Sequence, residues 1–543
     1  MSLKIFFLST FLIYNLYAEN KAFEIVISPK DKTILKYYYH FENKAIWIQN
    51  NNQIKDLAFD LINKIKQDKI LKPQINKLFK FEKIENLLEH RDYLTKNSLI
   101  ELDILLTKTY HEYMTYLAKG VINWQIFLDE LKKIEEKDEI KAKWAKYEVR
   151  KNFITLLRKA IEKQDINLAI NEVNYTFPYA KDLENEIKRL EEISQSGGYI
   201  TIPETKTILK KGNSYPQIRQ IRQRLYQSND LDSIFCESEI ENCLEYYDQT
   251  LFNAVINFQK RYGLIADGII GEKTIEKLNT PVEEKIKTVR INLERMRWLP
   301  RNLGNEFILI NIPAYKLKFY EDKEVQLKMD IIVGKKRFPT PIFSHRMSEI
   351  IVNPYWKIPQ TIVKKEIIPK LVKNSDYLEN ENINVHENWD TNSLKFDVSN
   401  VDWNMYLDND LIGTPKEAPM RFIQTPGGTN PLGRIKFLFP NQYSVYLHDT
   451  PEKHYFTLNE KTLSHGCIRL ERPFELFEKI IFKEDETSFE KNKSIKNLEE
   501  KDFKLSKKIP IHIVYLTAWV ENNKLQFRDD IYDYDKIQSR LLF

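Results

Sequence analysis

The sequence predicts a multidomain α+β protein with an all-helical N-terminal part, a small three-helix module and a mainly β domain. Three observations predict this. At 543 residues the chain is longer than one core organises, so two to four domains are expected. Apolar residues recur at helical spacing up to about residue 196, and from about residue 305 the period shortens to that of strands. Gly197-Gly198 interrupts the helical pattern and marks a boundary. Hydrophobic residues make up 42% and aromatic residues 12%, enough to fill several cores, which excludes a disordered chain. The 83 basic and 78 acidic residues leave a net charge of +5 with no long basic run, which argues against a nucleic-acid partner.

Residues 1–18 read as an export signal. Lys4 supplies the positive start, Ile5 to Ile13 is almost wholly apolar, and Ala18 is a small residue at a cleavage point. The apolar run is shorter than the roughly 20 residues a bilayer-spanning helix needs. An uncleaved anchor is the alternative, and a soluble mature protein in the periplasm the expectation. Residues 22–48, with Ile25-Val26-Ile27 and Tyr37-Tyr38-Tyr39, read as an extended segment that opens a helical domain spanning 22–200. Within it Leu99, Leu102, Leu106, Tyr110, Tyr113 and Leu117 fall at three- and four-residue spacing, and Gly120 follows as a C-terminal stop. Leu57 to Ile65, Phe153 to Ile161 and Leu183 to Ile193 repeat the pattern, and nothing in this region carries chemistry.

Residues 206–280 form a compact unit. Leu209-Lys210-Lys211-Gly212 leads into a helix with Ile218, Ile221 and Leu225, and Phe258-Gln259, Asp267-Gly268 and Gly271 close the unit. Between them Cys236 and Cys243 lie seven apart, close enough for a local disulfide in an oxidising compartment. Strands are expected over Phe307 to Ile312, Lys316 to Tyr320, Gln326 to Val333, Glu349 to Val352, Ile435 to Phe439, Ser444 to His448 and Ile511 to Leu516. They build a catalytic domain over 290–520. Residues 360–420 interrupt it, opening helically and turning polar, as a lid or binding loop would. Residues 521–543 remain as a C-terminal extension.

The chemistry concentrates in Ser464-His465-Gly466-Cys467-Ile468-Arg469. Cys467 is left unpaired if the other two cysteines join, and an odd cysteine in an exported chain flags a reactive thiol. A thiol with an ordinary pKa near about 8.5 needs a base or a positive charge nearby to act as a nucleophile. His448, His465 and Arg469 are the candidates. A zinc set of His448, His454, His465 and Cys467 fits no known ligand spacing, so no metal and no cofactor are expected.

Tyr446-Leu447-His448-Asp449-Thr450-Pro451 followed by Ser464-His465-Gly466-Cys467-Ile468-Arg469 resembles the catalytic motif of YkuD-type L,D-transpeptidases. Leu293 to Pro300, Asn311 to Tyr315, Asn353-Pro354-Tyr355-Trp356 and Pro426-Gly427-Gly428 resemble the YcbB-like branch of that family, some of whose members carry serine where this chain has His465. The 206–280 unit resembles the peptidoglycan-binding domain of cell-wall enzymes. The resemblance implies a YkuD-like catalytic domain with a helical lid insertion beside a wall-binding module. It also implies attack by Cys467 on a tetrapeptide stem, release of D-alanine, a thioester, and a cross-link between third residues. His448 is then the proton acceptor and donor. Backbone at Gly466, with Tyr446, holds the oxyanion. Arg469, His465, Ser464, Trp356 and Tyr355 meet the substrate. Peptidoglycan stems, donor and acceptor, are the expected partners, with cell-wall synthesis proteins reached through the helical domain. An ion pair for Arg469 and core packing for Tyr446 are the alternative readings. An L,D-carboxypeptidase and a non-catalytic wall-binding scaffold are the alternatives for the whole.

Overall fold

The computed structural model describes residues 25, 31–68, 70–71, 74–175, 177, 180–205, 207–235, 242–407, 420–481 and 498–543. The export signal and Cys236 lie outside them. Cys243 is disulfide-bonded, whereas Cys467 is a free thiol.

The N-terminal part is helical, and its organiser is the helix Lys96–Lys119. Thr95 caps it by accepting the Ser98 N–H, and Gly120 ends it at φ 84°. All six apolar residues singled out by their spacing, Leu99 to Leu117, are buried along it. The segment expected to be extended contains the helix Lys32–His40 instead. Asp31 caps that helix, and the Tyr38 hydroxyl donates to Asp103 Oδ1 at 2.5 Å from inside the domain core. Tertiary burial of Tyr37 and Tyr38 outweighs the strand preference of a tyrosine run.

The small module has the three expected helices, Gln217–Gln227, Gln249–Arg261 and Glu272–Leu278. Its turn motif is closed by Gln259, which accepts the Gly268 N–H at 2.9 Å and donates to Ile269 O at 2.9 Å.

The catalytic domain holds β1 (Glu306–Asn311), β2 (Lys316–Glu321), β3 (Glu324–Gly334) and β4 (Phe343–Val352). After these come β5 (Trp356–Lys357), β6 (Ile383–His386) and β7 (Arg421–Gln424). The site is built on β8 (Ile435–Leu438), β9 (Leu447–His448), β10 (Thr462–Ser464) and β11 (Ile468–Leu470). The chain closes with β12 (Lys501–Val514), β13 (Ala518–Glu521) and β14 (Lys524–Phe527). Nine strands form one sheet in the order β10-β3-β11-β9-β8-β4-β12-β1-β2, and β3 also pairs with β2, so the sheet closes on itself. Strands β5, β7 and β6 form a separate sheet within the lid. That lid has its own core around Val363, Ile367, Trp403 and Phe422. Its first helix contains a π turn over Val363–Ile367 just ahead of Pro369, as expected where a ring removes a backbone donor.

The helix Val282–Met296 joins the parts. It leads from the small module, packs against Ala180–Gln195 of the helical part and the C-terminal helix Tyr534–Leu542, and delivers the chain to β1. Glu294 is buried on it, with Oε1 accepting the Ile122 N–H at 2.9 Å and Oε2 without a partner. Burial pushes its pKa up to about 7. A raised carboxyl pKa means the fold holds a proton that the unfolded chain has released, so stability falls as pH rises from about 4.5 to 7. Glu294→Gln cannot ionise. The stability of the variant relative to the parent should therefore improve by up to about 3 kcal/mol between pH 5 and pH 8, measured by chemical denaturation.

Candidate active site

The thiol sits on a turn that only certain residues permit. Strand β10 ends at Ser464, the chain reverses through His465 and Gly466, and β11 begins after Cys467. Gly466 has φ 111°, a conformation that residues with a Cβ rarely adopt. Its carbonyl accepts from Thr340 Oγ1 at 2.9 Å, and the same hydroxyl oxygen accepts the Gly334 N–H at 2.9 Å. Gly334 must itself be glycine, because a Cβ there would lie 2.0 Å from Phe338 O. The Tyr532 hydroxyl, from the C-terminal extension, donates to Gly334 O at 2.6 Å. Ser464 closes the turn from inside by donating to Cys467 O at 2.5 Å and accepting the Gly466 N–H at 3.1 Å. With the Gly466 N–H so used, an oxyanion donor on this turn would have to be another backbone N–H, such as that of Cys467.

Sheet register then assembles the side chains around the thiol. Strand β9 pairs in parallel with β11, setting His448 opposite Arg469, and antiparallel with β8, setting His448 opposite Lys436. Opposed residues share a face, and so do residues two apart on one strand. Lys436, His448, Arg469, Tyr446 and Cys467 therefore occupy one face, while Phe437, Leu447, Ile468 and Leu470 are buried on the other. The Tyr446 and His448 rings are 5.7 Å apart, and the Lys436 ammonium lies 4.0 Å from the Tyr446 ring centre.

Charge on this face is finely opposed. Burial pushes the Cys467 thiol pKa up, and contacts with Tyr446 and the charges of Lys436 and Arg469 pull it back without cancelling the rise. The Tyr446 hydroxyl hydrogen-bonds the sulfur. His448 Nδ1 lies 2.6 Å from Asp449 O, so that nitrogen carries the proton and donates. Burial, and then the Arg469 charge, push its pKa down to about 3, so the ring is neutral at any working pH. Neutral, with Nδ1 protonated, it keeps an unprotonated Nε2. Asp449 serves the framework, since its carboxylate accepts from Arg434 N–H at 2.9 Å and from Lys453 Nζ at 2.7 Å.

The remaining predicted residues divide between the site and its surroundings. Arg469 Nη1 pairs with Glu452 Oε2 at 2.6 Å, while its Nε is buried and unpartnered. His465 points away from the sheet face toward the lid, where Nε2 lies 3.2 Å from Glu366 Oε1 and the ring lies against Phe338. Ser464 has its hydroxyl committed to the turn. Trp356 packs against the lid core, and the Tyr355 N–H bonds Glu500 Oε1 at 2.8 Å, which sets both at the root of the lid. Among the described residues no group of three His, Cys, Asp or Glu side chains is placed to hold a metal.

Sequence reasoning missed Lys436, Thr340, Glu366 and Tyr532. Lys436 had a signal, as the one charged residue alternating with Ile435 and Phe437 in a strand. The others are brought in by contacts that span from 99 to 198 residues, in the cases of Glu366 with His465 and Tyr532 with Gly334.

Residues 305–486 match the family described as "L,D-transpeptidase catalytic domain" (YkuD), residues 32–186 the "Scaffold domain", and residues 214–278 the "Putative peptidoglycan binding domain". A Haemophilus influenzae protein named "Putative L,D-transpeptidase" is 29% identical over 246 residues, which are 45% of this chain and 47% of that protein. The match thus spans about half the length of this curated relative. Among solved structures, an L,D-transpeptidase from Mycobacterium smegmatis is 14% identical, covering 39% of this chain and 58% of that one, at a TM-score of 0.18. One from Xylanimonas cellulosilytica is 13% identical, covering 57% and 100%, also at 0.18. Scores that low carry no weight for the fold.

Because the thiol pKa lies above its ordinary value, alkylation of Cys467 by iodoacetamide should accelerate with pH up to and beyond pH 9. Tyr446→Phe removes a donor to the sulfur and should slow alkylation at pH 8 by about tenfold, the equivalent of about one pKa unit. An unchanged rate profile would show that the hydroxyl does not stabilise the thiolate.

Proposed function

We infer that this chain, which carries a YkuD L,D-transpeptidase catalytic domain beside a peptidoglycan-binding module, is a cysteine-dependent L,D-transpeptidase of peptidoglycan. The observation that carries the reading is the single sheet face shared by Cys467, Tyr446, His448, Arg469 and Lys436.

In this reading Cys467 Sγ attacks the carbonyl carbon of the stem's third residue while the unprotonated His448 nitrogen takes the thiol proton. The bond to D-alanine breaks, its amine leaves with that proton, and a thioester remains. The side-chain amine of a second stem attacks the thioester, the C–S bond breaks, and a proton returns to the sulfur through His448. Atoms balance without a cofactor. The Cys467 N–H and the Tyr446 hydroxyl are the donors available to the oxyanion, and pre-aimed donors of this kind are worth about 10²–10³ in rate. Arg469, with one nitrogen anchored to Glu452 and one unpartnered, fits a carboxylate of the stem. An insertion that meets the thiol turn through Glu366 and His465 would, as a lid, exclude water and favour an amine acceptor over hydrolysis. Such an enzyme works outside the cytoplasm. No helix among the described residues is long and apolar enough to cross a membrane. The helical domain is the surface on which cell-wall synthesis proteins would dock.

Incubation with disaccharide-tetrapeptides should release D-alanine and yield dimers joined through third residues, with Cys467→Ala inactive. Release accompanied by monomeric tripeptides alone would identify a carboxypeptidase, and activity surviving in Cys467→Ala would remove the thiol mechanism. A carbapenem should add one covalent equivalent to the intact mass of the parent and none to Cys467→Ala.

A further inference from the structure

Outside the thiol site, a cleft of about 610 Å³ lies at the seam of three units. One wall comes from the small module (Asn257, Lys260, Arg261), one from the catalytic sheet (Tyr315, Lys316, Lys461), and the floor from the β13–β14 hairpin. Neither the thiol face nor the lid contributes to it.

Its charge is one-sided. Seven basic side chains line the cleft against three carboxylates, and each carboxylate is already held. Asp230 accepts from Arg261 Nε at 2.7 Å. Asp330 is shared by Lys316 and Lys461, and Glu521 by Lys318 and Lys328. Against the upward pull of burial, those two lysines hold Glu521 down at a pKa of about 2. Lys260, Lys524 and Arg528 have no carboxylate partner among the described residues. Arg528 is pinned instead by packing, lying across Gly263 and donating to Arg261 O at 2.8 Å. Arg528 is thus fixed in place by the fold, Lys524 donates to Asn229 O, and the surplus positive charge stands in a concave site that concentrates its field. Between the cations stand the amides of Asn257, Asn459 and Asn522 and the ring of Tyr315. Amides pair with hydroxyl and acetamido groups, and an aromatic ring offers a face to a sugar.

The position matters as much as the charge. Lys461 and Cys467 are six residues apart on one chain, so no more than about 20 Å separates them. A four-residue peptide reaches up to about 14 Å, so a stem attached to a strand in the cleft approaches the thiol on the same scale.

We propose that this seam cleft is a second peptidoglycan-binding site, which takes a carboxylate-bearing glycan–peptide strand and holds its stem in range of Cys467. The ligand class rests on the transpeptidase reading, whereas the basic cleft itself does not.

The test uses the full-length protein and soluble glycan oligomers carrying tetrapeptides. Lys260→Glu with Lys524→Glu reverses two exposed charges and should weaken binding of these oligomers about tenfold or more at low salt. The loss should shrink as ionic strength rises. Lys260→Ala with Lys524→Ala should show the same direction at smaller size, which guards against a misfolded reversal variant. Oligomers whose carboxylates are converted to amides should bind the unaltered protein as weakly as native oligomers bind the reversal variant. Equal binding by both double variants and the unaltered protein would overturn the proposal. So would amidated oligomers binding as well as native ones, or inorganic polyphosphate displacing the oligomers at lower concentration than free tetrapeptide-oligomer does, which would assign the cleft to phosphate polymers. D-alanine release by the unaltered protein from free tetrapeptide tests the transpeptidase reading by itself. Its absence, with charge-dependent oligomer binding intact, would sink that reading and leave the cleft as a wall-anchoring site.

Discussion

Within eight residues, Glu294, Arg295, Arg297 and Arg301 are drawn out of water, and they find their partners in different parts of the chain. Arg297 donates to the Tyr116 hydroxyl at 2.6 Å and Arg301 to the carbonyls of Leu117 and Val173, all in the helical domain. Arg295 donates to Gln538 at 2.6 Å and to Tyr515 O at 3.1 Å, in the C-terminal helix and the end of the sheet. Upstream, Lys285 is buried against the Tyr262 hydroxyl of the small module, with the Phe527 ring beyond. A buried charge deprived of its partner costs about 3–5 kcal/mol, far more than a surface pair contributes. Undocking any one unit would strand buried polar groups of the others.

The same dependence reaches the catalytic turn. Gly466 adopts its left-handed conformation because Thr340 holds its carbonyl, and Thr340 stands where it does because Gly334 admits no side chain and Tyr532 holds the Gly334 carbonyl. Tyr532 is in turn stacked on Tyr515, whose carbonyl receives Arg295. A continuous set of contacts thus runs from the charged helix to the residue beside the thiol. The C-terminal extension, which looked like an appendage, supplies one of its members, Tyr532. It also supplies the floor of the basic cleft.

Much of this was legible in the sequence, and the boundary of legibility has physical causes. Helix Lys96–Lys119, the three helices of the small module, strands β1 to β3 and the end of β4 follow from apolar period and, for the first helix, from Gly120 as its stop, all of them local signals. Cys467 and His448 could be singled out as candidates because a reactive thiol requires neighbours of a particular kind. The helix at Lys32–His40 was not, because a tyrosine run prefers a strand until Asp103 and Thr107, from a helix 65 residues on, receive Tyr38. Lys436 gave a signal that the sequence could not place. Its alternation in β8 says that it leaves the apolar face, but only the sheet order brings that face against β9 and the thiol. Ser464 and His465 could be named as members of the motif, yet their directions, inward to the turn and outward to Glu366, depend on the bend at Gly466.

The electrostatics of the site constrain when the proton can move. A preformed thiolate–imidazolium pair needs a thiol pKa below that of its histidine, and here the order is reversed. His448 is held down to about 3, while the thiol is pushed above its ordinary value. Burial acts on both in the direction of neutrality, and the Lys436 and Arg469 charges that favour a thiolate oppose an imidazolium. The resting site is thus a neutral thiol beside a neutral ring. Under the proposed mechanism the proton leaves sulfur only as the carbonyl carbon is attacked, when charge appears on an oxygen that the Cys467 N–H and the Tyr446 hydroxyl can meet. An incoming anionic stem has a further effect. Under the same proposal, a stem carboxylate at Arg469 would offset the cation that, after burial, holds the His448 charge down. With its pKa raised, the thiol of the empty site is a slower nucleophile at neutral pH than an ordinary cysteine.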